Sequence, residues 1–170
     1  HRGLPVEHFI AACNVNDVVP EYLRTEILQP KETVATISNA MDVGDPSNFV
    51  RILELFDKEF NQVKNKLSGY TIDDGETLKT IERVEKDYGY VLDPHGAVAF
   101  VALEKYLAEN GGKGFFLETA HPVKFPDSVE KATGKSVEIP KSLEELMRQE
   151  KFTTEINPQY EELKGFLLGK

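Results

Sequence analysis

Short apolar runs place the strongest limit on the fold of this chain. Residues 6–13 read "VEHFIAAC" and residues 114–120 read "GFFLETA", and their apolar side chains are clustered rather than alternating with polar ones. This pattern is typical of strands buried on both faces, as in a parallel sheet that helices cover on each side. A third run, "ETVATI" at 32–37, is rich in β-branched residues and is also strand-like.

Amphipathic segments lie between and after these runs. Residues 48–67 carry apolar side chains at three- and four-residue steps, which predicts one long helix, and a second helix is predicted over 76–88. Asp93 followed by Pro94 predicts the start of a third helix. Strands that alternate with helices predict an α/β fold with a mainly parallel sheet and helices on both faces. Further helical pieces are predicted near 142–150 and 158–168.

Composition argues against several classes of partner and site. The chain has 29 acidic and 20 basic residues, a net charge of −9, and no basic block, so we expect no nucleic-acid binding. Its apolar runs are too short to cross a bilayer, so we expect no membrane partner. Cys13 is the single cysteine, which fits a reducing, cytoplasmic location. The four histidines lack ligand-like spacing, so no metal site is predicted.

Four polar stretches follow a predicted strand or open a predicted helix, where α/β proteins bind their ligands. Each has a structural alternative. The first and third are explained equally well as helix caps, the second as a Gly/Pro connector, and the fourth as a strand exit in which Thr119 caps a neighbouring group. Residue types alone therefore indicate only a ligand-binding α/β domain. The stretches are Asn14–Asp17, the 36–49 loop ("TISNAMDVGDPSNF"), Asp93–Gly96 and Glu118–Pro122.

Longer phrases around these stretches resemble the threonine synthase family. They occur in the order that the family shows, and together they cover most of residues 4–130. The resemblance is to the C-terminal portion of the family only, and residues 131–170 match it loosely. The phrases are "HFIAACNVNDVVPEYL", "VATISNAMDVGDPSNFVRILELF", "GYVLDPHGAVAFVAL" and "GFFLETAHPVKFPDSV".

The resemblance implies part of a three-layer domain of the second fold type (fold type II) of pyridoxal-phosphate enzymes. Residues 1–130 would be the C-terminal part of the large cofactor-binding domain, and 131–170 a C-terminal helical extension of the same domain. The implied reaction converts O-phospho-L-homoserine and water to L-threonine and phosphate, with pyridoxal 5'-phosphate as the cofactor. The family's Schiff-base lysine and phosphate-binding loop lie in the N-terminal part of the protein, upstream of this chain. We therefore predict no catalytic residue here and no activity for this fragment without that part.

The resemblance assigns a cofactor-binding role to one residue. Thr119 matches the family threonine whose hydroxyl bonds the pyridine nitrogen of the cofactor. Asn14 and Asn16 are expected near the cofactor phosphate, and His95 at the rim of the cleft. Two other functions remain open: a non-catalytic phospho-ligand-binding or regulatory relative, and a purely structural α/β piece. The residues predicted to line the cleft are Asn14, Asn16, Ser38, Asn39, Asp42 and His95.

Overall fold

The computed structural model describes residues 5–169, without the side chain of Met147. The first four residues of the predicted 1–130 domain and the last residue of the predicted 131–170 extension therefore lie outside the described part. The chain divides into two compact units, one ending at Val137 and one beginning at Glu138. Between residues 5 and 169, no helix has both the length and the apolar character needed to cross a membrane. The domain boundary predicted at residue 130 stays a prediction.

Helices and strands alternate through the first unit, whereas the second unit contains helices α7 and α8. In chain order the elements are β1 (Phe9–Cys13), α1 (Val18–Thr25), α2 (Val50–Leu55), α3 (Phe60–Lys66), β2 (Leu67–Thr71), α4 (Asp74–Tyr88), α5 (Pro94–Asn110), α6 (Pro126–Thr133), α7 (Lys141–Met147) and α8 (Tyr160–Leu167).

Strands β1 and β2 pair in parallel, with Ala11 opposite Gly69. Successive residues of a strand face opposite sides of the sheet. Ala11 accordingly packs against the core that Tyr22 of α1 belongs to, and Ala12 against the core of Val98 on α5. Helices therefore cover both faces of the sheet, and the predicted α/β fold with parallel pairing is confirmed.

Gly69 shows how closely α1 approaches the sheet. A Cβ atom at this position would lie 2.8 Å from the Cα of Pro20 in α1, which is closer than real Cβ contacts occur. The strand sequence "LSGYT" is short and interrupted by this glycine, so its apolar pattern is weak. This explains why β2 was not predicted from periodicity.

The predicted long helix over 48–67 is wrong in its continuity. The chain forms α2, then breaks, and forms α3 before entering β2. The break contains Asp57 and Lys58, whose φ angles of 52° and 60° lie in the left-handed region. Residues with a Cβ adopt that conformation only as isolated turns, so a right-handed helix cannot run through it.

The ends of the two long helices follow the predicted chemistry. At the start of α5, the Asp93 side chain accepts the backbone N–H of His95, and Pro94 takes the first helical position. The same helix ends before Gly111, and α4 ends before Gly89, whose φ of 66° is left-handed. These caps are local features, which is why the sequence located both helices to within about two residues.

The 32–37 and 114–120 runs were predicted as strands, and the described sheet, which consists of β1 and β2, includes neither. The second run is extended and packs one face on α5. Its Phe116 ring lies 5.6 Å from the Phe100 ring in an edge-on contact, whereas Phe115 and Leu117 are 74% and 70% exposed. The continuous apolar sequence of this segment therefore gives it two apolar faces. One face packs on α5, and the other is exposed in this chain.

Candidate functional site

Asn14 lies just after the carboxyl end of β1 and ties that end to the 36–49 loop. Its Nδ2 lies 2.8 Å from both Thr36 Oγ1 and Asp42 Oδ1, and 3.1 Å from Ser38 Oγ. Asn14 and Ser38 are each only 1% exposed. An amide nitrogen has two hydrogens, so these acceptors share them. One buried side chain thus holds three residues of the loop.

The Asn16 side chain bonds both the N–H and the carbonyl of Val34, as the backbone of a neighbouring strand would. Its Oδ1 accepts the N–H of Val34, and its Nδ2 donates to the carbonyl of Val34, both at 2.8 Å. The same Nδ2 donates to Asn14 Oδ1 at 2.9 Å. Because side chains bond its backbone in this manner, the strand-like 32–37 run stays out of the sheet.

Asp17 precedes α1, but its side chain makes no capping hydrogen bond. Its carboxylate instead accepts hydrogen bonds from Lys31 Nζ at 2.6 Å and from Thr71 Oγ1 at 2.9 Å. The side chain of Asn16 is likewise committed to Val34, as described above. Asp17 therefore occupies the predicted N-cap position of α1, but it does not cap the helix through its side chain.

Asp42 completes the network from within the loop. Its Oδ1 accepts the Thr36 hydroxyl at 2.7 Å and the Asn16 amide at 3.2 Å, in addition to the Asn14 amide, and its Oδ2 accepts the Thr36 N–H at 2.9 Å. A carboxylate with this many donors is satisfied without solvent. Asn14, Asn16, Ser38 and Asp42, which the sequence placed together at a cleft, thus form one hydrogen-bonded cluster.

The cluster also shows what the sequence reasoning missed. Thr36 bonds Asp42 through both its hydroxyl and its N–H, yet the sequence analysis does not include it among the residues predicted to line the cleft. Thr36 is the first polar residue of the 36–49 loop, and this position could have identified it as a member of the cluster. The amide nitrogens of Asn14 and Asn16 already donate to groups of this chain, and the prediction that these residues lie near the cofactor phosphate stays a prediction.

His95 fixes the middle of the 36–49 loop from the first turn of α5. Its Nε2 lies 3.1 Å from the backbone nitrogen of Ala40, which can only donate, so Nε2 is the acceptor. The proton of the neutral ring then sits on Nδ1, which lies 2.6 Å from Asp93 Oδ1. The ring is 5% exposed and contacts Phe125, with 4.8 Å between ring centroids.

Asp93 and Glu118 meet beneath this histidine. The Asp93 N–H lies 3.4 Å from Glu118 Oε1, a weak contact. Burial, followed by the hydrogen bond with Asp93 and the charge of Asp93, raises the pKa of Glu118 to about 8. Burial also opposes the charged form of Asp93, but hydrogen bonds from Glu118 and His95 outweigh it and lower the pKa of Asp93. The two carboxyl groups therefore differ strongly in their affinity for a proton, which Glu118 holds more tightly than Asp93 does.

Three predicted site residues lie outside the cluster: the buried His95, and Thr119 and Asn39, which are both exposed. Asn39 opens the short 3-10 turn Asn39–Met41, and its carbonyl accepts the N–H of Asp42 at 3.1 Å. Thr119 follows Glu118 at the end of the 114–120 segment. The structure relates Thr119 to the loop only indirectly, through Glu118, Asp93 and His95.

Comparison with known proteins identifies the family to which this chain belongs. The family model described as "Threonine synthase, C-terminal" matches residues 96–167. The threonine synthase of Escherichia coli (strain K12) is 48% identical over 143 residues, which are 84% of this chain and 33% of that protein. The threonine synthase of Serratia marcescens is 42% identical over 98% of this chain and 38% of its own length.

Solved structures show the same relationship in three dimensions. The crystal structure of threonine synthase from Escherichia coli matches with a TM-score of 0.84 at 41% identity, over 98% of this chain and 38% of that chain. The X-ray structure of the PLP-bound threonine synthase from Brucella melitensis matches with a TM-score of 0.79 at 27% identity, over 97% and 40%. The chain thus spans 33% to 40% of the length of these relatives. It belongs to the threonine synthase family and corresponds to the C-terminal portion of its members.

Proposed function

We propose that the protein containing this chain is a threonine synthase, which converts O-phospho-L-homoserine and water to L-threonine and phosphate. The observation that carries the proposal is the similarity of nearly the whole chain to threonine synthases in both sequence and structure. The cofactor is pyridoxal phosphate, which the Brucella melitensis relative binds. We assign residues 1–130 to the large domain of a fold-type II enzyme and 131–170 to its helical extension.

The residues present fit the ring end of such a cofactor. Thr119 ends an apolar extended segment, its side chain is exposed, and a neutral hydroxyl can either donate to or accept from a ring nitrogen. The adjacent carboxyl group, Glu118, is committed to the opposite side, against Asp93 and α5. When bound, pyridoxal phosphate supplies an electron sink for carbanionic chemistry. Unlike an aspartate at this position, Thr119 would orient the ring without forcing a proton onto its nitrogen.

The 36–49 loop would form a wall of the cleft. The Asn14 and Asp42 contacts hold its first half, and His95 holds its backbone at Ala40. A wall fixed in this way keeps a bound substrate oriented, which is a large part of what a protein contributes to cofactor chemistry. Asn39 is the exposed amide at the turn of this wall and the side chain that we assign to substrate contact.

The covalent chemistry would need groups from outside this chain. We propose that the Schiff-base lysine and the phosphate-binding loop lie in the N-terminal part of the protein, so that residues 1–170 alone are inactive. Lys124, in the short turn Pro122–Lys124, belongs to a different phrase of the family and is assigned no such role. A reducing, cytoplasmic location is proposed on the basis of the single Cys13.

The test is an assay of the intact protein with pyridoxal phosphate, in which the release of phosphate and L-threonine from O-phospho-L-homoserine is measured. We expect both products in equal amounts, and none from residues 1–170 alone. Borohydride reduction followed by peptide mapping should place the cofactor on a lysine outside this chain. A single stoichiometric label on Lys124 would overturn the assignment of the lysine.

The same assay distinguishes the alternative function. A non-catalytic phospho-ligand-binding or regulatory relative would bind phosphate esters and form no threonine. The relatives described above are all threonine synthases, so none of them favours that alternative.

A further inference from the structure

Two buried carboxyl oxygens stand out in the described part of the chain because no hydrogen-bond donor reaches them. They are Asp93 Oδ2 and Glu118 Oε2. A buried acceptor without a donor costs about 1–3 kcal/mol, and more when it is charged. Both belong to groups that already touch, since the Asp93 N–H faces Glu118 Oε1. The two orphaned oxygens therefore call for one explanation.

One proton held between the two carboxyl groups would give both oxygens a partner, and the surroundings decide which residue would carry it. Asp93 Oδ1 accepts the N–H of His95 at 2.9 Å and lies 2.6 Å from its Nδ1, so two donors stabilise the carboxylate form of Asp93. Glu118 has only the long 3.4 Å contact. Two adjacent buried carboxylates cannot both stay charged at low cost. The proton therefore belongs on Glu118.

Gly96 makes room for this arrangement. A Cβ atom at this position would lie 2.1 Å from Glu118 Oε2 and 2.5 Å from its carboxyl carbon. The glycine therefore lets the Glu118 carboxyl group rest directly on the first turn of α5, beside Asp93. Because the obstructing atoms are the end of a flexible side chain, an alanine here would displace the carboxyl group rather than the backbone.

The 114–120 segment alternates between two environments along α5. Gly114 lies against Leu103, Phe116 against Phe100, and Glu118 against Gly96. The intervening residues, Phe115, Leu117 and Thr119, are exposed. Glu118 is thus the last of the three residues that contact α5, and the polar one among them. Thr119, which follows it, lies on the opposite face of the segment.

We propose that Glu118 is a positioning residue for Thr119. It is a neutral carboxylic acid whose O–H donates to Asp93 Oδ2, and this bond fixes the end of the 114–120 segment on α5. The proposal rests on the proposed function, since it concerns the residue assigned to the cofactor ring. It also joins Thr119 to the 36–49 loop, because Asp93 orients His95, which accepts the Ala40 N–H.

Deprotonation of Glu118 should release this anchor. The titratable groups near it are Asp93, which His95 contacts on its other side, and Tyr90, whose pKa is raised by burial and by the charges of both carboxyl groups. The pKa of Glu118 in the folded protein is raised from 4.5 to about 8. Its stabilising contribution is therefore complete below pH 4.5 and is lost as the pH rises to 8.

Infrared difference spectroscopy on the intact protein tests the protonation directly. Subtracting the spectrum of E118Q from that of the parent at pH 6 should leave a protonated-carboxyl band, which disappears with a midpoint near pH 8. The control is E82Q, an exposed glutamate of α4, whose difference spectrum should show a carboxylate band only. Absence of the protonated band at pH 6 would overturn the proposal.

Three variants test the positioning role, with the cofactor absorbance and kcat of the holoenzyme as readouts. E118Q keeps a donor to Asp93 and should retain the parent spectrum, but without the activity loss that the parent shows as the pH rises through 8. E118L removes the donor and G96A displaces the carboxyl group, and each should lower kcat about tenfold and shift the cofactor absorbance. A parent-like spectrum and rate in E118L would contradict the positioning role. If the intact protein shows the infrared band but forms no L-threonine from O-phospho-L-homoserine, the proposed function is contradicted and the protonation of Glu118 is not.

Discussion

The 36–49 loop is predicted from its polar residues and the 114–120 segment from its apolar ones, and the structure packs the two regions in opposite ways. The first half of the loop is bonded from several directions by polar side chains, and Ser38 of the loop and Asn14, which donates to it, are each 1% exposed. The segment is packed on one face only, and its other face carries Phe115 at 74% exposure. The polar groups of the loop thus find their partners within this chain, whereas one apolar face of the segment is left uncovered.

The difference separates residues that shape a site from residues that meet a ligand. Where every donor of a polar side chain is used inside the protein, as in Asn14 and Asn16, its removal should first affect stability. Where a polar side chain is exposed at the end of an anchored segment, as in Thr119, its removal should first affect function. Substitutions in the intact protein can separate these two outcomes.

The largest expected effect is that of Asn14→Ala. It removes the donor shared by Thr36, Ser38 and Asp42, and it leaves the Asp42 carboxylate with fewer partners. We expect a loss of about 3–5 kcal/mol in the free energy of unfolding, measured by urea denaturation. The matched control is Asn61→Ala on the exposed side of α3, which should change stability by less than about 0.5 kcal/mol. Equal effects of the two substitutions would contradict the structural role of the cluster.

Gly44→Ala should come next. A Cβ atom there would lie 2.1 Å from the carbonyl oxygen of Lys31, and the backbone N–H of Lys31 bonds the Gly44 carbonyl at 2.8 Å. The obstacle is backbone, so the two chain segments must separate, at a cost of about 2–3 kcal/mol. Gly75→Ala, in the first turn of α4, is the control and should be neutral or stabilising. A thermal melt of both variants measures the difference.

Thr119→Val should lower the catalytic rate while leaving the stability nearly unchanged, in contrast to the two substitutions above. The substitution keeps the shape and removes the hydroxyl, so a buried ring nitrogen would lose a partner worth about 1–3 kcal/mol. This corresponds to a decrease in kcat of roughly tenfold to a hundredfold, with little change in the melting temperature. Thr119→Ser should retain most of the activity, and Thr119→Asp should be worse than the serine variant. Parent-like turnover and cofactor absorbance in Thr119→Val would contradict the cofactor-binding role proposed for Thr119.

The smallest effects compare two neighbours in the loop. Ser38→Ala removes a buried hydroxyl that contacts Asn14 and Thr36, and should cost about 1 kcal/mol of stability. Asn39→Ala removes an exposed amide and should cost less than about 0.5 kcal/mol, with its effect seen in KM for O-phospho-L-homoserine. A larger stability loss in Asn39→Ala than in Ser38→Ala would contradict the assignment of Asn39 to the cleft.

The local features of the fold could be read from the sequence because they depend on neighbouring residues. Asp93 and Pro94 begin α5, and Gly89 ends α4, through capping chemistry that needs no tertiary contact. The break at Asp57 and Lys58 could not be read in this way, since the apolar periodicity continues across it. The left-handed backbone of these two residues ends α2, and α3 then leads directly into β2.

The sequence by itself determined the fold class, the ends of α4 and α5, and the membership of Asn14, Asn16, Ser38 and Asp42 in one region. The fold class and the helix ends follow from short-range periodicity and capping, whereas the grouping of the four polar residues is what the resemblance to the threonine synthase family implies. Only the tertiary structure decided that 32–37 bonds to side chains instead of a strand, and that Glu118 meets Asp93 across 25 residues of chain. Such long-range pairings depend on which surfaces the packed helices bring together, and a buried carboxyl group takes its protonation from that packing rather than from its neighbours in sequence.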